Sequence, residues 1–204
     1  MTKRRDDLLR RVVKAAAEGG LARRSLRDLA AQVGTSHRML IHHFGSREGV
    51  LAAVVEAVER DQNERLGDLP DDAAEAIRAS WRRTSVPSLW PIERLFFECY
   101  ARGAQGEPPF DRLVPALVEQ TLAAVSARAD VSASEEGRAG ARLGLAVIRG
   151  LLLDVVATGD RKATDRALEL YAAMVADRSA QQASASRLPP SPQRRRVQRR
   201  SRRS

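Results

Sequence analysis

Residues 25–51, SLRDLAAQVGTSHRMLIHHFGSREGVL, constrain this chain more than any other stretch. Ser25 is placed to cap a helix, and Asp28 three residues later completes a variant of the capping box. Leu26, Leu29, Ala30 and Val33 recur at helical spacing and form one apolar face. Gly34 supplies the left-handed residue that ends this helix. Thr35 or Ser36 then caps a second short helix. In it Leu40 and Phe44 point inward with Ile41 beside them, while Arg38, Met39, His42 and His43 fall on the other side. Gly45 stops the second helix, and Ser46 opens a third. Helix, Gly-containing turn and short helix make a helix-turn-helix pattern, whose second helix would meet a major groove. Spacing alone leaves open an ordinary helical hairpin with a solvated face.

The residues themselves resemble the DNA-binding signature of the tetracycline-repressor (TetR/AcrR) family. The quoted stretch carries that family's S-hydrophobic-x-D-L-A start, its V-G-T-S turn, its H-F helix end and its G-S-R-E-x-V-L entry into a fourth helix. It departs at Thr35, where Val is usual, and at Ile41, where the family has a phosphate-contacting Tyr. The resemblance implies a dimeric, ligand-responsive DNA-binding regulator. It also implies that His43 and Arg47 hold phosphates, and that Ser25 and Arg27 contact the backbone at the start of the first motif helix.

Side-chain chemistry adds further candidates. Arg38 can take guanine O6 and N7 in a bidentate contact, and Met39 can touch a thymine methyl. Ser36, His37 and His42 can donate to phosphates or base edges. Helix N-termini at Leu26 and Arg47 favour phosphate electrostatically. The three histidines of the chain all lie in this helix. His42 and His43 diverge by ~100° and have no carboxylate on their face, so no metal site is expected.

The remainder reads as helices. Aromatics and alternating β-branched runs are sparse, so the expected fold class is all-α. A helix over about Asp6–Glu18, with a basic arm Lys3-Arg4-Arg5 ahead of it, would brace the motif from behind. This gives a three-helix DNA-binding domain over 1–45. Ser46 to about Leu66 forms a fourth helix that leaves this domain for the next. Five more helices are expected over about Asp71–Arg83, Pro91–Ala104, Phe110–Ala129, Ser134–Thr158 and Arg161–Asp177. Together they form a six-helix ligand-binding and dimerisation domain over 46–178.

That domain holds no H-E-x-x-H, no G-x-S-x-G, no phosphate-binding Gly loop and no histidine, so neither catalysis nor a cofactor is expected. It does hold Trp81, Trp90, Phe96, Phe97, Tyr100 and Phe110. These can pack a core, line the small-molecule cavity that the resemblance implies, or do both. Arg94, Glu98 and Gln105 are candidate polar tips, and Cys99 reads as a buried, inert thiol. The last two helices carry more apolar width than one stripe. A homodimer through helices 8 and 9 would bury it; burial inside a monomer is the alternative.

Net charge is +9, of which the eight arginines of 179–204 supply +8, leaving the rest at +1. This tail of Ser, Gln, Pro and Arg is expected to be disordered and able to add non-specific phosphate affinity. One cysteine and no apolar leader suit the cytoplasm. No stretch suits a membrane. The expected function is a dimeric repressor released from double-stranded DNA by a small-molecule effector. An activator, or a non-specific tail-assisted DNA binder of the same fold, is the alternative.

Overall fold

The computed structural model describes residues 2–19, 21, 24–128 and 134–187. Among them are nine α-helices and no strand. The helices are α1 (Thr2–Gly19), α2 (Leu26–Gln32), α3 (His37–Phe44), α4 (Arg47–Glu64), α5 (Ala73–Thr84), α6 (Trp90–Ala104), α7 (Phe110–Arg128), α8 (Glu135–Thr158) and α9 (Arg161–Arg187). Short 3-10 turns follow α4 and precede α6. The all-α expectation holds, helix for helix.

Local chemistry accounts for the boundaries. Ser25, Ser36, Ser46, Asp72 and Ser134 each accept a hydrogen bond from the backbone N–H three residues on, satisfying a donor that the first turn leaves unpaired. Ser36, not Thr35, caps α3. Gly34 takes φ +67°. Its N–H bonds Ala31 O at 3.3 Å and that of Thr35 bonds Ala30 O at 2.9 Å, a paired closure of the helix end that an L side chain would strain.

Two ends differ from expectation. Lys3, Arg4 and Arg5 are not a free arm but the first turns of α1. Arg5 packs its guanidinium 5.2 Å from the Phe44 ring centroid and donates to His43 O. The tail expected from 179 is helical as far as Arg187, because Ala, Gln and Arg carry α9 onward and no proline intervenes before Pro189. Residues 188–204, with the other seven arginines of the tail, lie outside the described residues.

One apolar core runs from α1 through α2 and α3, along α4, and into α6 and α7. Val12, Leu40, Val54, Cys99 and Phe110 are wholly buried in it. A smaller core joins α5, α8 and α9 through Trp81, Leu152, Val155, Val156 and Leu168. α4 belongs to the first core on several sides, through Val50, Leu51, Ala53, Val54 and Val55.

The α3–α4 corner is tight. A Cβ on Gly49 would stand 1.9 Å from Phe44 O, an overlap that only a backbone shift removes. Gly49→Ala is expected to destabilise the fold by ~2 kcal/mol or more, measured by urea unfolding, and to weaken DNA binding because α3 must move relative to α4.

Candidate nucleic-acid interface and buried polar site

α3 is anchored by one face. Leu40 is wholly buried, Phe44 is half-buried against the same core, and Ile41 is half-buried. The opposite face is bare: His37, Arg38 and His42 are exposed, and Met39 is 41% exposed although apolar. Ser25 and Arg27 are exposed at the start of α2, and Ser36 at the start of α3. Ser25 and Ser36 use their hydroxyl oxygens as caps, and Ser25 Oγ also donates to Asp28 Oδ2 at 2.6 Å.

His43 and Arg47 are more enclosed. The His43 ring stands edge-on to His42 and Phe44, at 5.1 and 6.4 Å between centroids. Arg47 Nη2 donates to Leu21 O at 3.3 Å. Three guanidinium groups thus brace the motif on backbone carbonyls: Arg5 on His43 O, Arg11 on Val33 O at 2.6 Å, and Arg47 on Leu21 O. Arg5 and Arg11 sit on carbonyls at the C-terminal ends of α3 and α2, where the helix dipole favours cations.

The aromatic residues divide between sites. Trp81 and Trp90 belong to the smaller core. The Trp81 indole donates to Asp165 Oδ1 at 2.6 Å, and the Trp90 indole to Ser85 O at 3.1 Å. Phe97 bridges both cores. Phe110 is fully buried beneath the Arg102 guanidinium, 4.5 Å from its centroid. Tyr100 is partly exposed. Only Phe96 borders the narrow, partly open void between α4 and α6, whose other walls are Val55, Val58, Glu59, Gln62, Ile92 and Glu93. That void is too narrow for a water molecule in its present shape.

Its polar walls are residues that the sequence reading passed over. Glu59 on α4 pairs with Arg149 on α8 at 3.1 Å, with side chains 12% and 14% exposed. The Arg149 guanidinium also lies 4.9 Å from the Phe96 ring centroid and 5.7 Å from that of Tyr100. Glu93 on α6 is 5% exposed, and its Oε1 has no hydrogen-bond partner. Burial pushes the Glu59 carboxyl up despite Arg149. Burial, with the Glu59 charge adding to it, pushes Glu93 from 4.5 up to about 7. The clue in the sequence was two glutamates interrupting apolar helix faces, Glu59 after Val55 and Val58, and Glu93 between Ile92 and Phe96. Arg94, Glu98 and Gln105 do not border the void. Cys99 is wholly buried, and its thiol is pushed up to about 12, chiefly by burial.

Among the described residues no three His, Cys, Asp or Glu side chains come together as a metal site, and no helix is long and apolar enough to cross a membrane.

An anchored recognition helix with a bare, cation-bearing face, joined through α4 to a helical body, defines a helix-turn-helix DNA-binding regulator. Residues 8–54 match the family described as bacterial regulatory proteins, tetR family. A TetR-family transcriptional regulator from Pectobacterium atrosepticum is similar at 27% identity and TM-score 0.59, over 86% of this chain and 91% of that one. A transcriptional regulator from Rhodococcus sp. Rha1 (21% identity, TM-score 0.68, 84% of this chain and 95% of that) is alike in fold. So is a TetR-family regulator from Streptomyces coelicolor (14% identity, TM-score 0.68, 98% and 96%). Comparison with curated proteins gave no match. Residues 8–54 thus match the tetR-family DNA-binding domain, and the chain is similar along most of its length to a TetR-family transcriptional regulator.

Glu93 makes stability depend on pH. Its folded value lies above the unfolded one, so the stability contributed by its neutral form is complete below about 4.5 and lost as pH rises through about 7. Gln62, Thr121 and Arg149 are the polar groups that face Glu93 and its neighbour Glu59. Glu93→Gln removes the cost of ionisation. At pH 8 it is expected to stabilise the fold by ~2–3 kcal/mol, and near pH 4.5 to change little, as read from urea unfolding at both values.

Proposed function

We propose that the chain is a ligand-responsive, dimeric repressor that leaves its operator when a small molecule enters the body. The observation that carries the DNA-reading part is the bare face of α3. Met39 stays exposed beside Arg38 while Leu40 is wholly buried, as a helix laid into a groove requires. Arg38 is the candidate for base readout, with Met39, Ser36, His37 and His42 beside it. Ser25, Arg27, His43 and Arg47 are candidate phosphate contacts, the last two partly committed to internal contacts.

A second copy accounts for the outer face of α8 and α9. Leu143 and Leu153 on α8, and Leu170 and Met174 on α9, are 49–67% exposed. Gly150 lies in the same stripe and faces open space, which lets a partner helix approach closely. A twofold pair would set two α3 helices into successive major grooves, ~34 Å apart. In this reading residues 1–45 read DNA, 46–178 bind ligand and dimerise, and the protein acts in the cytoplasm without catalysis.

For release, α4 is the shared part. It meets α3 at the Gly49 corner, and it meets the body through Glu59–Arg149 and through Glu48–Arg102 at 3.7 Å. A ligand that parts α4 from α6 would change the separation of the two readers. It must favour the non-binding arrangement by several kcal/mol to switch decisively.

Three measurements test this. Footprinting on the DNA beside its own gene is expected to reveal a short palindrome; coating of DNA without a site would support non-specific binding instead. Arg38→Ala is expected to cost ~1–3 kcal/mol at one base position of that site and to relax selectivity there. Leu143→Arg with Leu170→Glu is expected to give a monomer by analytical ultracentrifugation and to lose operator binding, while a dimer would reject this interface.

A further inference from the structure

Two carboxyls, Glu59 and Glu93, line the void between α4 and α6 with one guanidinium, that of Arg149, beside them. Arg149 is already committed to Glu59 and to the faces of Phe96 and Tyr100. Glu93 lines the same void, is nineteen-twentieths buried, and leaves Oε1 without a partner. A buried carboxyl oxygen in this state costs free energy until a donor reaches it, and a charged donor offsets the most. Of the other walls, Gln62 is polar and reaches the Glu93 carboxyl, leaving Oε1 unmet, while Val55, Val58, Ile92 and Phe96 are apolar or aromatic. They suit a small hydrocarbon body and, at the Phe96 face, a cation.

We infer that this void is the binding site of a small organic cation, a protonated amine with a short apolar body, whose nitrogen donates to Glu93 and competes with Arg149 for Glu59. The inference rests on the effector reading above and names the chemical class of the effector. An uncharged ligand would leave the surplus carboxylate unmatched. An anionic ligand would face two carboxyls with only one, already paired, guanidinium. Because the void is too narrow even for water, the amine enters only as α4 and α6 part, and its competition for Glu59 loosens the tie from α4 to α8. Binding and displacement of α4 are therefore the same event.

The test uses the full chain in amine-free phosphate buffer at pH 8, with benzylammonium, benzyl alcohol and benzoate as probes of one shape and three charges. Benzylammonium alone is expected to raise Tm saturably. Glu93→Gln is expected to weaken that response at least tenfold while remaining folded, with a starting Tm at or above that of the parent, so the loss is not one of folding. Equal responses to the three probes, a preference for benzoate, no response to benzylammonium, or a response retained in Glu93→Gln would each overturn the proposal. A parallel operator-binding measurement separates the two readings. Benzylammonium that binds through Glu93 without changing operator affinity supports the cation site and defeats ligand-driven release. Release by benzyl alcohol or benzoate, undiminished in Glu93→Gln, supports release and defeats the cation site.

Discussion

The burial of α4 is the constraint on which the rest of the molecule depends. Val50, Leu51, Val54 and Val55 are each at most 2% exposed, and their contacts are shared by the DNA-reading helices and by α6 and α7. Burial of each such side chain contributes ~1.5–3 kcal/mol, so neither end of the molecule can shed α4 cheaply. A helix packed this way moves as a body or not at all, since close-packed interfaces exchange between discrete arrangements rather than deform smoothly. The bare face of α3 inherits its position from that packing through a corner so tight that one methyl group on Gly49 does not fit.

The same economy explains the arginines. α2 and α3 are only 7 and 8 residues long, too short to persist alone in water. Serine caps hold their first turns, and the side chains of Arg5 and Arg11, reaching from α1, hold carbonyls at their last. Cations that look on paper like a DNA-binding arm are therefore partly structural. On the two motif helices themselves, Arg27 and Arg38 keep exposed guanidinium groups.

Helix number, order and most boundaries were legible in the sequence because they rest on local chemistry: Ser and Asp caps, Gly34 and Gly45 at positive φ, and apolar spacing. The bare face of α3 was legible for the same reason, since a short helix with Leu40 and Phe44 inward leaves few choices for the rest. The buried polar site was not. Trp81 and Phe96 look alike in sequence, yet one packs against α8 and α9 and the other borders a void, a difference set by which helices meet. Glu59 and Arg149 lie 90 positions apart, so no local pattern brings them together. Arg187 marks the other limit: the prolines and arginines of the tail imply a structureless segment from its start, although its first residues favour helix.

A buried ion pair with a second carboxyl beside it is poor evidence of stability, because desolvation consumes much of what the pairing contributes. Apolar replacements would pack α4 against α6 and α8 at lower cost, as Val54 and Phe96 do on either side. What charge supplies there, and hydrocarbon does not, is a contact that an ion can exchange. Glu59–Arg149 joins the helix that carries the reader to α8, and Glu93 stands beside it with an oxygen unspent. A contact of this kind is held strongly while both partners are present and given up readily when a competing charge arrives. Under the cation-site proposal, it ties α4 to the body with a bond whose strength depends on what occupies the void.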